Sequence, residues 1–232
     1  FYTNRIEFVN LFNGGYSTEP SAFDFFQEES GYQLFLRSML VQDGGGLYTA
    51  PVGIESPYPE SYYWPWSTSN PTGYQSTAAA MDLWNSFLYE AISYLHYHQY
   101  FIPQANYDAN SDGKLDNITF VIQGTPHPFG DLLHPRTWTL PAGHYIGSLM
   151  VETYNMVFEN SSLSTICHEL SHSIGFPNLY REYWETNWTG QTYLVQKDPT
   201  AGYDVMGVKG NQPVHSLVYT KYRYGGWTPA LP

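Results

Sequence analysis

Cys167-His168-Glu169-Leu170-Ser171-His172-Ser173-Ile174-Gly175-Phe176-Pro177-Asn178-Leu179-Tyr180 is the stretch on which the reading of this chain turns. It contains His168-Glu169-Leu170-Ser171-His172, an H-E-x-x-H pattern. On a helix, residues four apart lie one turn apart on the same face, so His168 and His172 can offer two imidazoles to one cation. Glu169 lies about 100° further round the helix and can reach a water beside that cation without ligating it. Zinc chemistry asks for this set: neutral imidazoles, an open position for water, and a carboxylate to take the water's proton.

The helix also reads well by itself. Leu163, Ile166, Cys167, Leu170 and Ile174 recur at i, i+3, i+4, i+7 and i+11 as an apolar stripe. Ser161 or Ser162 is placed to cap its start, and Gly175 supplies the stop. Cys167 is the single cysteine, so no internal disulfide can form. Its place on the stripe predicts a small buried hydrophobe, not a nucleophile.

Working outward, 232 residues with 42% hydrophobic content suit one domain with a sizeable core. A net charge of −12 with nine Lys+Arg argues against nucleic acid or an anionic membrane as partner, since either needs a basic patch. No apolar run reaches the roughly 18 residues of a membrane span. The aromatic share is 18%, with few lysines, a composition that suits an extracellular, secreted protein. The chain opens on Phe1 without a basic or apolar leader, so a signal or pro-segment is expected to lie outside this sequence. The sequons at Asn117, Asn160 and Asn187 would be glycosylation sites in a secreted eukaryotic chain.

In chain order, Ser21–Glu29 reads as a short helix capped by Ser21, and Tyr32–Val41 as a strand ended by the turn Asp43-Gly44-Gly45-Gly46. Residues 47–73 form a long Pro-, Tyr- and Trp-rich loop without periodicity, expected to be ordered. Thr77 to about Tyr100 is a long helix, with Ala80, Met81, Trp84, Leu88, Ala91, Ile92 and Leu95 at helical spacing, closed by Phe101-Ile102-Pro103. His96 and His98, two apart near its end, do not face one site and read as surface or capping histidines, while His127, His134 and His144 have no partner at ligand spacing and read as structural.

Asp108-Ala109-Asn110-Ser111-Asp112-Gly113-Lys114-Leu115-Asp116 places oxygen donors at positions 1, 3, 5 and 9 with Gly at 6, as in a calcium loop. Position 12 is Thr119 and not Glu, and a strand follows instead of a helix. The candidate calcium ligands are Asp108, Asn110, Asp112 and Asp116 with the Lys114 carbonyl; the other reading is an Asx-rich turn without an ion. Asn117–Gln123 is expected to be a central strand, and Leu149–Phe158 a strand leading straight into the H-E-x-x-H helix. Residues 181–200 read as a loop, and Ser216–Tyr224 as helical. The expected fold class is α+β: a twisted mixed sheet, a long backing helix, and the active-site helix.

Five blocks resemble one family: residues 23–41, 108–124, 167–180, Tyr203-Asp204-Val205-Met206-Gly207, and Lys221-Tyr222-Arg223-Tyr224-Gly225-Gly226-Trp227. In order and spacing they are similar to the immune-inhibitor-A-type metallopeptidases, secreted zincins with a metzincin-like Met-turn. The resemblance covers most of the chain. It implies a single catalytic domain over 1–232, an N-terminal lobe to about residue 175, a smaller C-terminal lobe from 176 that carries the Met-turn, and Zn²⁺ with structural Ca²⁺. It also implies Gly175 as the sharp bend after the helix and Met206 as the apolar Met-turn residue.

At the third-ligand position this chain has Asn178, where metzincins have His and this family usually has Asp. Three readings are open there: Asn178 ligates as a neutral and weaker donor, another residue such as Glu182, Glu185 or Tyr180 takes its place, or the site is degraded. The expected activity is endopeptidase hydrolysis of protein or peptide substrates. Glu169 would be the general base, with Tyr180 or Tyr203 assisting at the oxyanion and the 149–158 strand serving as a sheet edge for the substrate. The rival expectation is a non-catalytic extracellular binding or structural protein on the same fold, motivated by Asn178 and the Tyr/Trp-rich surface.

Overall fold

The computed structural model describes residues 5–14, 20–39, 53–98, 107–127, 131–141, 143–190, 192–207 and 212–228. It is a mixed α/β structure with several helices and a small mixed sheet. The chain divides into two compact units, one made of 1–39, 121–124 and 157–232, the other of 40–120 and 125–156. The lobe boundary expected at Gly175 lies inside the first unit.

In the second unit, helix α3 (Thr77–Tyr97) is the long helix read from the sequence. Ser76 caps it by accepting the Ala79 N–H, and Ala80, Trp84, Leu88, Ala91, Ile92 and Leu95 are its buried stripe. Trp84 also donates its Nε1–H to the Tyr154 hydroxyl at 3.0 Å. This bond satisfies two polar atoms that burial would otherwise penalise. The segment 53–74 is ordered as expected, through a 3₁₀ turn at Glu60–Tyr63 and an Asn70 amide bonded to the Ser61 and Pro65 carbonyls. The remainder of that loop, the Asp43–Gly46 turn and the Phe101–Pro103 helix stop lie outside the described residues.

Strands β1 (Thr119–Ile122), β2 (Arg136–Thr139) and β5 (Thr153–Phe158) form a sheet in the order β1-β5-β2. β2 runs antiparallel to β5, with Arg136 opposite Met156 and Thr139 opposite Thr153. Beside β1, the Asn155 and Glu159 amides donate to the Ile118 and Ile122 carbonyls. Two sequence expectations reverse here. β1 is an edge strand and is only half-buried, whereas β5, expected to offer an edge to substrate, is the middle strand and is buried along Tyr154–Phe158. The 149–158 run is also broken: Leu149–Met150 (β4) pairs in a hairpin with Tyr145–Ile146 (β3), and β5 starts after it.

In the first unit, α1 (Arg5–Asn13) precedes α2 (Ala22–Glu29), whose predicted Ser21 cap is present as a reciprocal capping box with Asp24. The expected strand at 32–41 is not formed over its described part, where residues 33–39 run without ladder partners. The Asn13 side chain takes the place of a neighbouring strand: its Nδ2–H donates to the Ser38 carbonyl and its Oδ1 accepts the Ser38 N–H, both at 2.7 Å. Residues 181–200 also differ from expectation. They form a hairpin of β6 (Arg181–Thr186) and β7 (Thr192–Lys197), turning at Asn187, whose Oδ1 accepts from Thr189 N and Oγ1. Near the C-terminus a short helix α5 (Val218–Thr220) runs into a π-helical turn at Lys221–Gly225.

Candidate metal centre

Helix α4 (Leu163–Ser173) carries the two histidines. Ser162 caps it, accepting the Thr165 N–H at 3.2 Å. Leu163, Ile166, Cys167 and Leu170 bury its apolar face, the aliphatic ones contributing roughly 2 kcal/mol apiece. Burial pushes the Cys167 thiol well above its usual range, as expected of a packing residue.

The helix ends in a Schellman motif. Phe176 N–H donates to the Ser171 carbonyl at 3.1 Å and Gly175 N–H to the His172 carbonyl at 2.9 Å, with Gly175 at φ +94°. No atom lies within 4 Å of a Cβ built on Gly175, so the glycine answers to backbone conformation and not to crowding. The bend brings Asn178 back against the helix.

Both imidazoles are fixed by backbone carbonyls. His168 Nδ1 lies 2.7 Å from the Val205 carbonyl and His172 Nδ1 lies 2.7 Å from the Phe176 carbonyl. A carbonyl only accepts, so each ring must carry its proton on Nδ1. A neutral ring then holds its lone pair on Nε2. That is the arrangement in which a histidine presents Nε2 to a metal. The rings stand nearly perpendicular with centroids 4.9 Å apart, His168 buried and His172 half-buried.

Asn178 Oδ1 lies 3.1 Å from His168 Nε2. With Oδ1 toward a neutral ring two acceptors face each other, a pairing that a proton on Nε2 or a shared cation would join. Two ligands about 2.05 Å from one tetrahedral zinc stand about 3.3 Å apart, close to the separation here. With the amide turned over, Nδ2–H would satisfy Nε2 without any cation.

The other candidates separate clearly. Glu169 is buried, and Tyr180 stacks on His168 at 6.1 Å between centroids. Burial, with lesser contributions from the Glu182 and Glu169 carboxylates, pushes the Tyr180 phenol well above its usual range, so it is a neutral O–H donor. Tyr203 is 74% exposed, whereas Tyr180 is half-buried against His168. Glu182 and Glu185 stand exposed on β6, and it is Asn178 that faces His168. Met206 is fully buried and accepts the Leu179 N–H on its carbonyl at 2.9 Å.

In the acidic loop, Asp108 accepts the Asp112 and Gly113 amides on its two oxygens, Asp112 accepts the Lys114 amide, and Asp116 accepts the Ala109 amide. Gly113 takes φ +79°, the turn required at the sixth position. Lys114 turns its ammonium to Glu152 at 2.7 Å, leaving its side chain out of the loop. Among the described residues no three His, Cys, Asp or Glu side chains gather as a ready cation cage. Both candidate centres therefore depend on other donors: the Asn178 amide at the helix, and the Asn110 amide and Lys114 carbonyl in the loop.

Sequence reasoning passed over the supports of the site. The carbonyls of Val205 and Phe176, the buried carboxylate of Asp204, and Glu29 all belong to it or its frame. Glu29 accepts from Ser216 N at 2.7 Å and His215 Nδ1 at 2.5 Å, with Lys221 Nζ 3.4 Å away. Backbone acceptors leave no trace in side-chain spelling, but Asp204 between Tyr203 and Val205-Met206 was a readable signal. Models of known protein families and curated proteins give no match to this chain.

Proposed function

We propose that this chain is a secreted zinc endopeptidase of the zincin type, similar to the immune-inhibitor-A-type metallopeptidases. The observation that carries the reading is the pair of imidazoles whose Nδ1–H groups are spent on carbonyls, with the Nε2 of His168 beside Asn178 Oδ1. His168, His172 and Asn178 would hold the metal. When bound, zinc supplies Lewis acidity, which makes a water more acidic and steadies negative charge on a carbonyl oxygen.

Glu169, one residue on from the first ligand and buried, would take the proton of the attacking water and pass it to the leaving amine. The neutral Tyr180 phenol donates toward developing negative charge on the carbonyl oxygen. Substrate is an extended protein segment. With β5 enclosed between two strands, it does not serve as the docking edge, and the exposed hairpin β6–β7 that follows Tyr180 is the nearer strand along the chain. Calcium in the 108–116 loop is a stabilising ion in this reading.

The test is metal content with casein hydrolysis. One zinc per chain and chelator-sensitive cleavage are expected. Glu169→Gln should retain the zinc and lose cleavage by at least about a hundredfold. A chain that takes up no zinc under saturating conditions and leaves casein intact would be the non-catalytic binding protein instead.

A further inference from the structure

We propose that Asp204 is the positioning residue of this metal centre: it sets the turn whose consecutive carbonyls hold His168 and the chain beside Asn178. The proposal rests on the zinc reading for its function, but not for its geometry.

Asp204 is 1% exposed, and all of its bonds run to the site's frame. Oδ1 accepts the Met206 N–H at 2.8 Å, closing the turn on itself. Oδ2 accepts the Leu217 N–H at 2.8 Å and the Thr220 hydroxyl at 2.9 Å, fastening the turn to the start of α5. The Asp204 carbonyl accepts the Gly207 N–H at 2.9 Å. Three donors on one buried carboxylate leave the turn little freedom.

What the turn presents is two adjacent carbonyls with different tasks. The Val205 carbonyl takes the His168 Nδ1–H and so selects the tautomer with its lone pair on Nε2. The Met206 carbonyl takes the Leu179 N–H, which fixes the backbone one residue beyond Asn178. Asp204 thus governs two candidate ligands while touching neither. Its displacement would let His168 rotate or exchange its Nδ1 proton for an Nε2 proton, and either change removes the lone pair from the metal.

Two variants divide the network. Asp204→Asn keeps one oxygen acceptor but sets an N–H₂ against a backbone donor, the Met206 N–H or the Leu217 N–H according to how the amide turns. Thr220→Val removes one donor with nearly unchanged shape and serves if the first variant fails to fold. Zinc affinity by competition titration and the His168 tautomer by ¹⁵N NMR of the chelated protein are the two readouts.

Asp204→Asn should weaken zinc binding roughly tenfold to a hundredfold, the range for groups that orient a ligand. Thr220→Val should weaken it several-fold, and the His168 proton should spread from Nδ1 onto Nε2 in both. Folded variants with wild-type affinity and an unchanged Nδ1–H tautomer overturn the proposal. If the wild-type chain binds no zinc, a tautomer shift in the variants upholds the positioning role while the peptidase reading falls; no shift overturns both.

Discussion

Asn178 is the residue on which the proposed metal affinity turns. An amide oxygen is a poorer donor to zinc than a carboxylate, yet in the proposed reading Asn178, 3.1 Å from His168 Nε2, would be the third ligand. Asn178→Asp is expected to tighten zinc binding by roughly tenfold, because an anionic oxygen replaces a neutral one in the same position. Asn178→Ala should loosen it, both read by competition with a chromophoric chelator. Cys167 gives the opposite kind of expectation. Its thiol lies buried on α4 with its ionisation pushed up, so the native chain should resist iodoacetamide and react only when unfolded, as mass spectrometry would show. At this scale the sequence was most legible where chemistry is carried by side chains. His168, Glu169, His172 and Asn178 stand out as candidates by their letters, whereas the carbonyls that hold the two imidazoles have no letter of their own.

Among the elements, α2, α3 and α4 were legible because cap residue, apolar period and length agree within each segment. The Schellman end of α4 was readable from Gly175 alone. Gly175→Ala forces an L-residue into a left-handed conformation at a cost of roughly 1–2 kcal/mol. Thermal unfolding should fall by about 2–4 °C per kcal/mol for a chain of this length. Zinc affinity should drop along with it, since the same bend delivers Asn178.

The strands were less legible, for identifiable reasons. Tyr32–Val41 has strand composition, but over residues 33–39 side chains bond its backbone in place of a ladder: Ser30 Oγ accepts the Gln33 and Leu34 amides, and Asn13 pairs with Ser38. Arg181–Lys197 reads as polar loop until Asn187 and Gly190, the latter at φ +83°, are seen as the turn between two runs rich in Tyr, Trp, Thr and Val. Strand order was beyond the sequence altogether, because the apolar run of β1 looks the same at an edge as at a centre.

Across the whole molecule, no helix among the described residues is long and apolar enough to cross a membrane. The acidic loop bears on stability at this scale. Its carboxylates crowd into nine residues and are joined to the β3–β4 hairpin by Leu115 N–H to the Met150 carbonyl and Met150 N–H to the Gly113 carbonyl. Calcium added back to chelated protein should raise the melting temperature by several degrees, the repulsion within the loop being relieved. An unchanged melting temperature would leave the loop an Asx-rich turn.

The contact between Asn178 and His168 has a bearing on charge as well. Two neutral imidazoles and an amide bring no negative charge to a divalent cation, which would keep both of its own. Glu169 beside the first histidine adds one carboxylate without ligating, and the rest of the countercharge would fall to the chain at large, with its net −12. Capture of the ion would then draw in part on scattered surface carboxylates, and salt, which cuts their reach to about 8 Å at physiological strength, would weaken it.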